Sequence, residues 1–157
     1  MGQDLALQQN LKINFIVGDI LQLEKLNTNF DLIYDSHCLH CIVFDEDRKK
    51  VLTGAKKLLS DSGIFILDTM IVPERKMDLV KLFEPLRFDS DNILWHKTNP
   101  SEDRGVVEID GQHWCAQRRI YPIQKVLEEV AQSGFSILSQ QVDDQENEPS
   151  MLRLVLK

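Results

Sequence analysis

Apolar residues along this chain switch between two spacings, and the switches mark out the elements. Residues 12–17, KINFIV, are β-branched and aromatic and stop at Gly18-Asp19, which predicts a strand followed by a turn. Residues 30–35, FDLIYD, predict a second strand. Over residues 45–60 the period lengthens, and Val51, Ala55, Leu58 and Leu59 form one stripe of a helix. Asp45 is placed to cap that helix, and Lys56 and Lys57 suit its C-terminal end. Gly63 opens a third strand, IFILDTM, apolar enough to be covered on both faces. Pro73 suits the first turn of a helix carrying Met77, Val80 and Leu82. Residues 2–10 predict a short helix around Leu5, Ala6 and Leu7.

The next stretch, residues 85–120, mixes Pro85, Pro100, Gly105 and Gly111 with the strand-like pieces ILWHK, VVEID and HWCAQRRIY. After Pro122 the helical stripe returns in Ile123, Val126, Leu127, Val130 and Ala131, and Gly134 closes it. FSIL and MLRLVLK predict two last strands, antiparallel because no helix joins them, with the acidic DDQENEPS between them as an exposed loop. Helices alternating with buried strands predict α/β layers around a largely parallel sheet, in a single domain spanning 1–157.

Composition narrows the function. At 157 residues, with 43% hydrophobic and 27% charged, the chain has the balance of one globular domain. No apolar run approaches the roughly 20 residues that span a bilayer, and the first residues show no basic segment before an apolar core. The 25 acidic and 18 basic residues leave a charge of −7, which repels phosphate backbones and anionic lipid. The expectation is therefore no nucleic-acid and no membrane partner. Three cysteines, an odd number, with no secretory signal predict reduced thiols and a cytoplasmic location.

INFIVGDI, FDLIYDSHCLHCI and RKKVLTGAKKLLSDSGIFIL, taken in that order, resemble the class I S-adenosylmethionine-dependent methyltransferases. YPIQKVLEEVAQSGFSIL resembles the helix and strand that close the same fold. The resemblance covers about residues 5–70 and 118–157 and implies a Rossmann-like, three-layer methyltransferase fold with S-adenosylmethionine as cofactor and a small molecule as methyl acceptor. It implies that Asp19 and Ile20 lie near the adenine, an acceptor for the exocyclic amine beside a backbone donor for the ring. It also implies that Asp35 and Ser36 face the sulfonium end, beyond the carboxyl end of a strand. Read from the residues alone, Asp19 caps a turn or helix start and Asp35 is a polar strand terminus. The resemblance assigns no catalytic residue, because in-line methyl transfer needs mainly positioning and exclusion of water.

The departure from the family pattern is as informative. Only seven glycines are present and no two lie closer than six residues, so no segment offers the glycine-rich loop that approaches the cofactor closely. The family's second strand is also without a counterpart. The resemblance therefore implies a truncated fold retaining family strands 3 to 7, with the edge of the 30–35 strand exposed. Such an edge seeks a partner: residues 12–17 would move to pair with it, or another chain would cover it in a homo-oligomer or larger assembly. A catalytically inactive, methyltransferase-like fragment acting as such a subunit is the alternative reading.

His37, Cys38, His40 and Cys41 make up HCLHC. The Cys-x-x-Cys spacing suits zinc or redox chemistry in a small metal or redox protein, yet a closed zinc site needs four ligands and no metal is expected. Read blandly, Cys38 and Cys41 are small buried hydrophobes. His37 and His40, with Trp114 and Arg118 of the 85–120 insert, are candidates for substrate contact, the insert being placed as a substrate cap. Aromatic residues in such an insert equally serve to pack it onto the core.

Overall fold

The computed structural model describes residues 2–74, 79–99, 105–144 and 149–157. Helix α1 (Gly2–Gln8) leads through an extended stretch to a 3-10 turn (Ile20–Lys25) and strand β1 (Phe30–Ser36). A second 3-10 turn (Leu39–Cys41), helix α2 (Asp45–Leu58) and strand β2 (Leu59–Ile71) follow. Next come a short helix α3 (Leu79–Phe83) and strands β3 (Arg87–Phe88), β4 (Ile93–Lys97), β5 (Val106–Ile109) and β6 (Gln112–Arg119). Helix α4 (Ile123–Gln132) and strands β7 (Ile137–Asp143) and β8 (Ser150–Leu156) complete the chain.

Two four-stranded sheets result, in the orders β1-β2-β8-β7 and β3-β4-β6-β5. The expected β7–β8 antiparallel pair forms. A mostly parallel sheet does not: among the described residues only β1 and β2 run parallel, while β2–β8 and every pair of the second sheet are antiparallel. The cause is local. Two residues, Asp110-Gly111, join β5 to β6, and both have positive φ (54° and 70°), the geometry of a tight antiparallel hairpin.

The main sheet is covered on one face. Register places Ile33, Phe65 and Leu156 on that face, with Leu67 opposite Leu154 and Thr69 opposite Leu152. Onto it pack Leu52 and Ala55 of α2 and Ile123, Val126 and Val130 of α4. Leu67, Leu152, Leu154 and Leu156 are fully buried, each contributing roughly 1.5–3 kcal/mol of burial. On the opposite face Leu32 and Tyr34 are each 55% exposed, so the described helices form one layer on the sheet rather than the two of a three-layer fold. Phe83, Leu94 and Ile120 form a second core with Met70 and Val72, which fixes the second sheet beyond the C-terminal end of β2.

Arg48 holds the helical layer together. It lies one turn before Leu52 on the buried stripe and is itself 1% exposed. Its Nε and terminal nitrogen both donate to Glu129 of α4 at 2.7 Å, and its other nitrogen donates to the Leu39 carbonyl at 2.8 Å. The expected cap differs: Phe44 precedes α2 without a side-chain cap, and the Asp45 carboxylate accepts the Tyr121 hydroxyl at 2.7 Å instead. Burial and that bond push the Tyr121 hydroxyl up to about 12.

Residues 12–17 join no sheet. Ile13, Phe15, Ile16 and Val17 are exposed, Val17 entirely. The following 3-10 turn docks on α2, where a Cβ on Gly54 would come within 3.1 Å of Leu23. That contact anchors the segment on the helix rather than on the open edge of β1. The helix expected after Pro73 begins at Leu79, so Pro73 lies outside it, and Met77 lies outside the described residues. Residues 145–148 of the acidic loop also lie outside them.

Removing one half of the buried pair strands the other. Glu129→Ala is expected to lower unfolding free energy by about 3–5 kcal/mol, and Arg48→Met with Glu129→Leu to recover most of it. Urea titration of both variants checks this.

Candidate functional site

The carboxyl ends of β1 and β2 point the same way, and the residues that follow β1 gather there. Asp35 is the penultimate residue of β1, and its carboxylate accepts the backbone N–H groups of Cys38 (2.7 Å) and Leu39 (3.1 Å), which fixes the second 3-10 turn. His37 adopts a left-handed backbone, φ 68°, and its N–H donates to the Asp68 carbonyl at 3.1 Å. The Met70 N–H donates to Nδ1 of His40 at 3.1 Å. Two bonds to β2 and one to Arg48 thus hold the turn over the sheet.

Beneath this turn lies a cavity of about 320 Å³ between β1, α2 and the first 3-10 turn. Its walls are mostly apolar, including Ile20, Leu23, Val51 and Phe65, and Tyr34, Asp35, Ser36 and Cys38 are the polar-headed residues among them. Burial raises the Asp35 carboxyl above the ordinary carboxylate range, against the lowering effect of its two backbone donors. The Cys38 thiol is pushed up by burial and by Asp35.

The structure brings Ile20, Asp35 and Ser36 to one cavity. Asp19 lines an adjoining cavity of about 390 Å³ on the other side of the first 3-10 turn, with Ile20 common to both. Its carboxylate accepts the Leu21 N–H at 2.9 Å and the Gln22 side-chain amide at 3.2 Å, so the capping role is real. His40 is 3% exposed, and burial, then Arg118, His37 and Arg48 beside it, lower it to about 4. It is neutral at pH 7 and positions the turn. His37 is exposed and lines a separate hollow with Asp68 and Arg153. Trp114 pairs with Lys97 and Arg118 with Leu94 across a bulge at Gln117, so strand alternation does not put the two on one face of β6; the strand itself packs against the second 3-10 turn. Trp114 Nε1 and Arg118 Nε are buried without a hydrogen-bond partner.

Two features escaped the sequence reading. Arg48 on the buried stripe of a helix was the signal for the first. The second is Asp68, which accepts two bonds from Arg153 (2.7 and 2.8 Å) and one from Tyr34 (2.7 Å) on the uncovered face. The Arg153 bonds, opposed by burial, hold the Asp68 carboxyl below its usual range. Charged residues inside the apolar runs IFILDTM and MLRLVLK were its trace. Among the described residues no group of three His, Cys, Asp or Glu is placed to hold a metal.

A family model described as a methyltransferase domain matches residues 2–67, the segment that carries Asp19, the first 3-10 turn, β1, α2 and most of β2. The match places a methyltransferase-domain pattern on the first two fifths of the chain. The fold agrees across nearly the whole chain. An S-adenosylmethionine-dependent methyltransferase from Clostridium acetobutylicum ATCC 824 superposes with a TM-score of 0.64 at 20% identity, covering 99% of this chain and 68% of that one. A protein from Pyrococcus horikoshii OT3 gives 0.65 at 15% identity, covering 99% and 64%. The 1,6-didemethyltoxoflavin-N1-methyltransferase of Burkholderia thailandensis, solved with its substrate and S-adenosylhomocysteine, gives 0.62 at 14%, covering 99% and 55%. The chain thus spans between about half and two thirds of those lengths. No curated protein sequence matches it.

The buried histidine ties the site to pH. An unfolded histidine takes its proton near pH 6.5, whereas folded His40 resists until about 4. Stability is therefore full above pH 6.5 and drains as pH falls toward 4. Between pH 7 and pH 5 the wild type is expected to lose about 2 kcal/mol more than His40→Gln, which keeps an acceptor for Met70. Comparing the two proteins by urea unfolding cancels the contribution of Asp35, whose raised carboxyl acts with the opposite sign.

Proposed function

We propose that this chain provides the adenine end of an S-adenosylmethionine site and the acceptor cap of a small-molecule methyltransferase. The observation that carries this reading is the apolar cavity at the carboxyl end of β1, where Ile20, Asp35 and Ser36 meet. Ligands of open α/β sheets bind at such ends. Apolar walls suit the two faces of an adenine ring. Asp19 keeps acceptor capacity beyond its bonds to Leu21 and Gln22, so it fits the exocyclic amine.

The fit stops there. Among the described residues nothing resembles a glycine cradle for the amino-acid end, and glycines 18, 54 and 63 stand far apart in sequence. The cofactor supplies an activated methyl group when bound. This chain's residues orient one end of it and exclude water beneath the turn. Asp35 holds that turn rather than acting as a base, since both its oxygens accept backbone N–H groups.

The second sheet, within the 85–120 insert, is the acceptor cap. Arg118 of β6 lies near His40 of the turn, and the unpartnered buried N–H groups of Arg118 and Trp114 suit an acceptor molecule bearing hydrogen-bond acceptors. The substrate named for the Burkholderia neighbour is a small molecule, which supports the same class here. The open edge of β1 favours completion by another chain, in a homo-oligomer or as a subunit.

Calorimetry with adenosine and with S-adenosylhomocysteine tests the partial site. The chain alone is expected to bind both with affinities within a few-fold, because only the shared adenosine end is held. An S-adenosylhomocysteine affinity a hundredfold tighter shows that the amino-acid end is held as well and overturns the partial site. Binding of neither overturns the cofactor reading.

A further inference from the structure

Cys38 and Cys41 stand at the two ends of one 3-10 turn. Cys38 precedes it with helical backbone angles, φ −90° and ψ −46°, and the Cys41 N–H donates to the Cys38 carbonyl at 2.9 Å. A bond of that span draws the two Cα atoms within about 7 Å. One turn of 3-10 helix rises about 6 Å over three residues and brings the side chains at its ends into eclipse. A disulfide needs Cα atoms roughly 4.4–6.8 Å apart. The turn is also fixed beforehand, by Asp35 on its N–H groups, by Arg48 on the Leu39 carbonyl and by His40 on β2.

The two thiols differ in access. Cys41 is exposed, its Sγ lying 3.5 Å from the His37 carbonyl, while Cys38 is half-buried against the cavity. The third cysteine, Cys115, is half-buried on β6 in the other sheet. We propose that Cys38 and Cys41 are a redox modification site, closing reversibly to an intramolecular disulfide when the protein meets a peroxide. Cys41, the accessible thiol, reacts first as its thiolate. Its sulfur bonds to one peroxide oxygen, the O–O bond breaks, and the departing hydroxide is protonated to water. The Cys38 sulfur then attacks the sulfur of the Cys41 sulfenic acid. The S–S bond forms, the S–O bond breaks, and the Cys38 proton leaves with that oxygen as a second water. Two thiols are oxidised, one peroxide is reduced, and two waters result. The product puts a crosslink in the roof of the cavity. Cys38 reacts there as an in-reach resolving thiol, which spares it the need for a low pKa; burial and Asp35 in fact raise it.

The test is made on the full chain, fully reduced, treated with hydrogen peroxide, alkylated, digested and weighed. The expected result is loss of two of the three alkylatable thiols. The peptide containing Cys38 and Cys41 is then lighter by two hydrogens and unalkylated, Cys115 remains alkylated, and dithiothreitol restores all three. In Cys41→Ser, Cys38 is expected to stay alkylatable under the same treatment. Sulfinic or sulfonic acid on Cys41 with Cys38 still free, a disulfide through Cys115, or three unreacted thiols would each overturn the assignment.

Discussion

One buried guanidinium organises the molecule. Arg48 is a full charge removed from water, which is costly unless every donor is met. Glu129 meets two of its five donors, and the carbonyls of Leu39 and Ile42 meet two more. Those partners come from α4 and from the turn after β1, so satisfying one side chain sets three elements against each other. The Tyr121 ring lies 5.2 Å from the same guanidinium, and the Tyr121 carbonyl accepts the Val72 N–H where β2 leaves the sheet. The geometry of the candidate site is thus inherited from a structural ion pair outside it.

The turn shows how position follows from that constraint. With Leu39 held by Arg48 and His40 by β2, the chain must leave β1 abruptly, and His37 takes the left-handed backbone the exit requires. Asp35 and Cys38 then border the cavity as a consequence of where the turn is fixed. The same arrangement explains why neither Asp19 nor Asp35 is a free carboxylate. Each first serves the backbone of its own turn, and any contact to adenine or acceptor uses capacity left over.

Much of the fold was legible because buried faces impose period. The α4 helix and the β8 strand were read from single residues and form, although Ala131 of the expected α4 stripe is exposed. The strand expected at residues 12–17 failed for the opposite reason: β-propensity describes a side chain on a paired surface, and this segment has no pair. Sheet direction was misjudged where short antiparallel hairpins replace helical crossovers, although Asp110-Gly111 between two strand-like pieces was the readable sign. The site was legible as a place, at the end of β1, but not as a set of contacts. Which of His37 and His40 turns inward depends on the Arg48 and Met70 bonds, which connect residues far apart in sequence.

On the function proposed above, the turn after β1 and the turn after Asp19 together frame one end of the cofactor. Hydrogen exchange of the chain with and without S-adenosylhomocysteine addresses it residue by residue. The account predicts slowed exchange confined to residues 19–22 and 35–41, with the β5–β6 hairpin unchanged. Protection that spares both turns, or that centres on the second sheet, would contradict it.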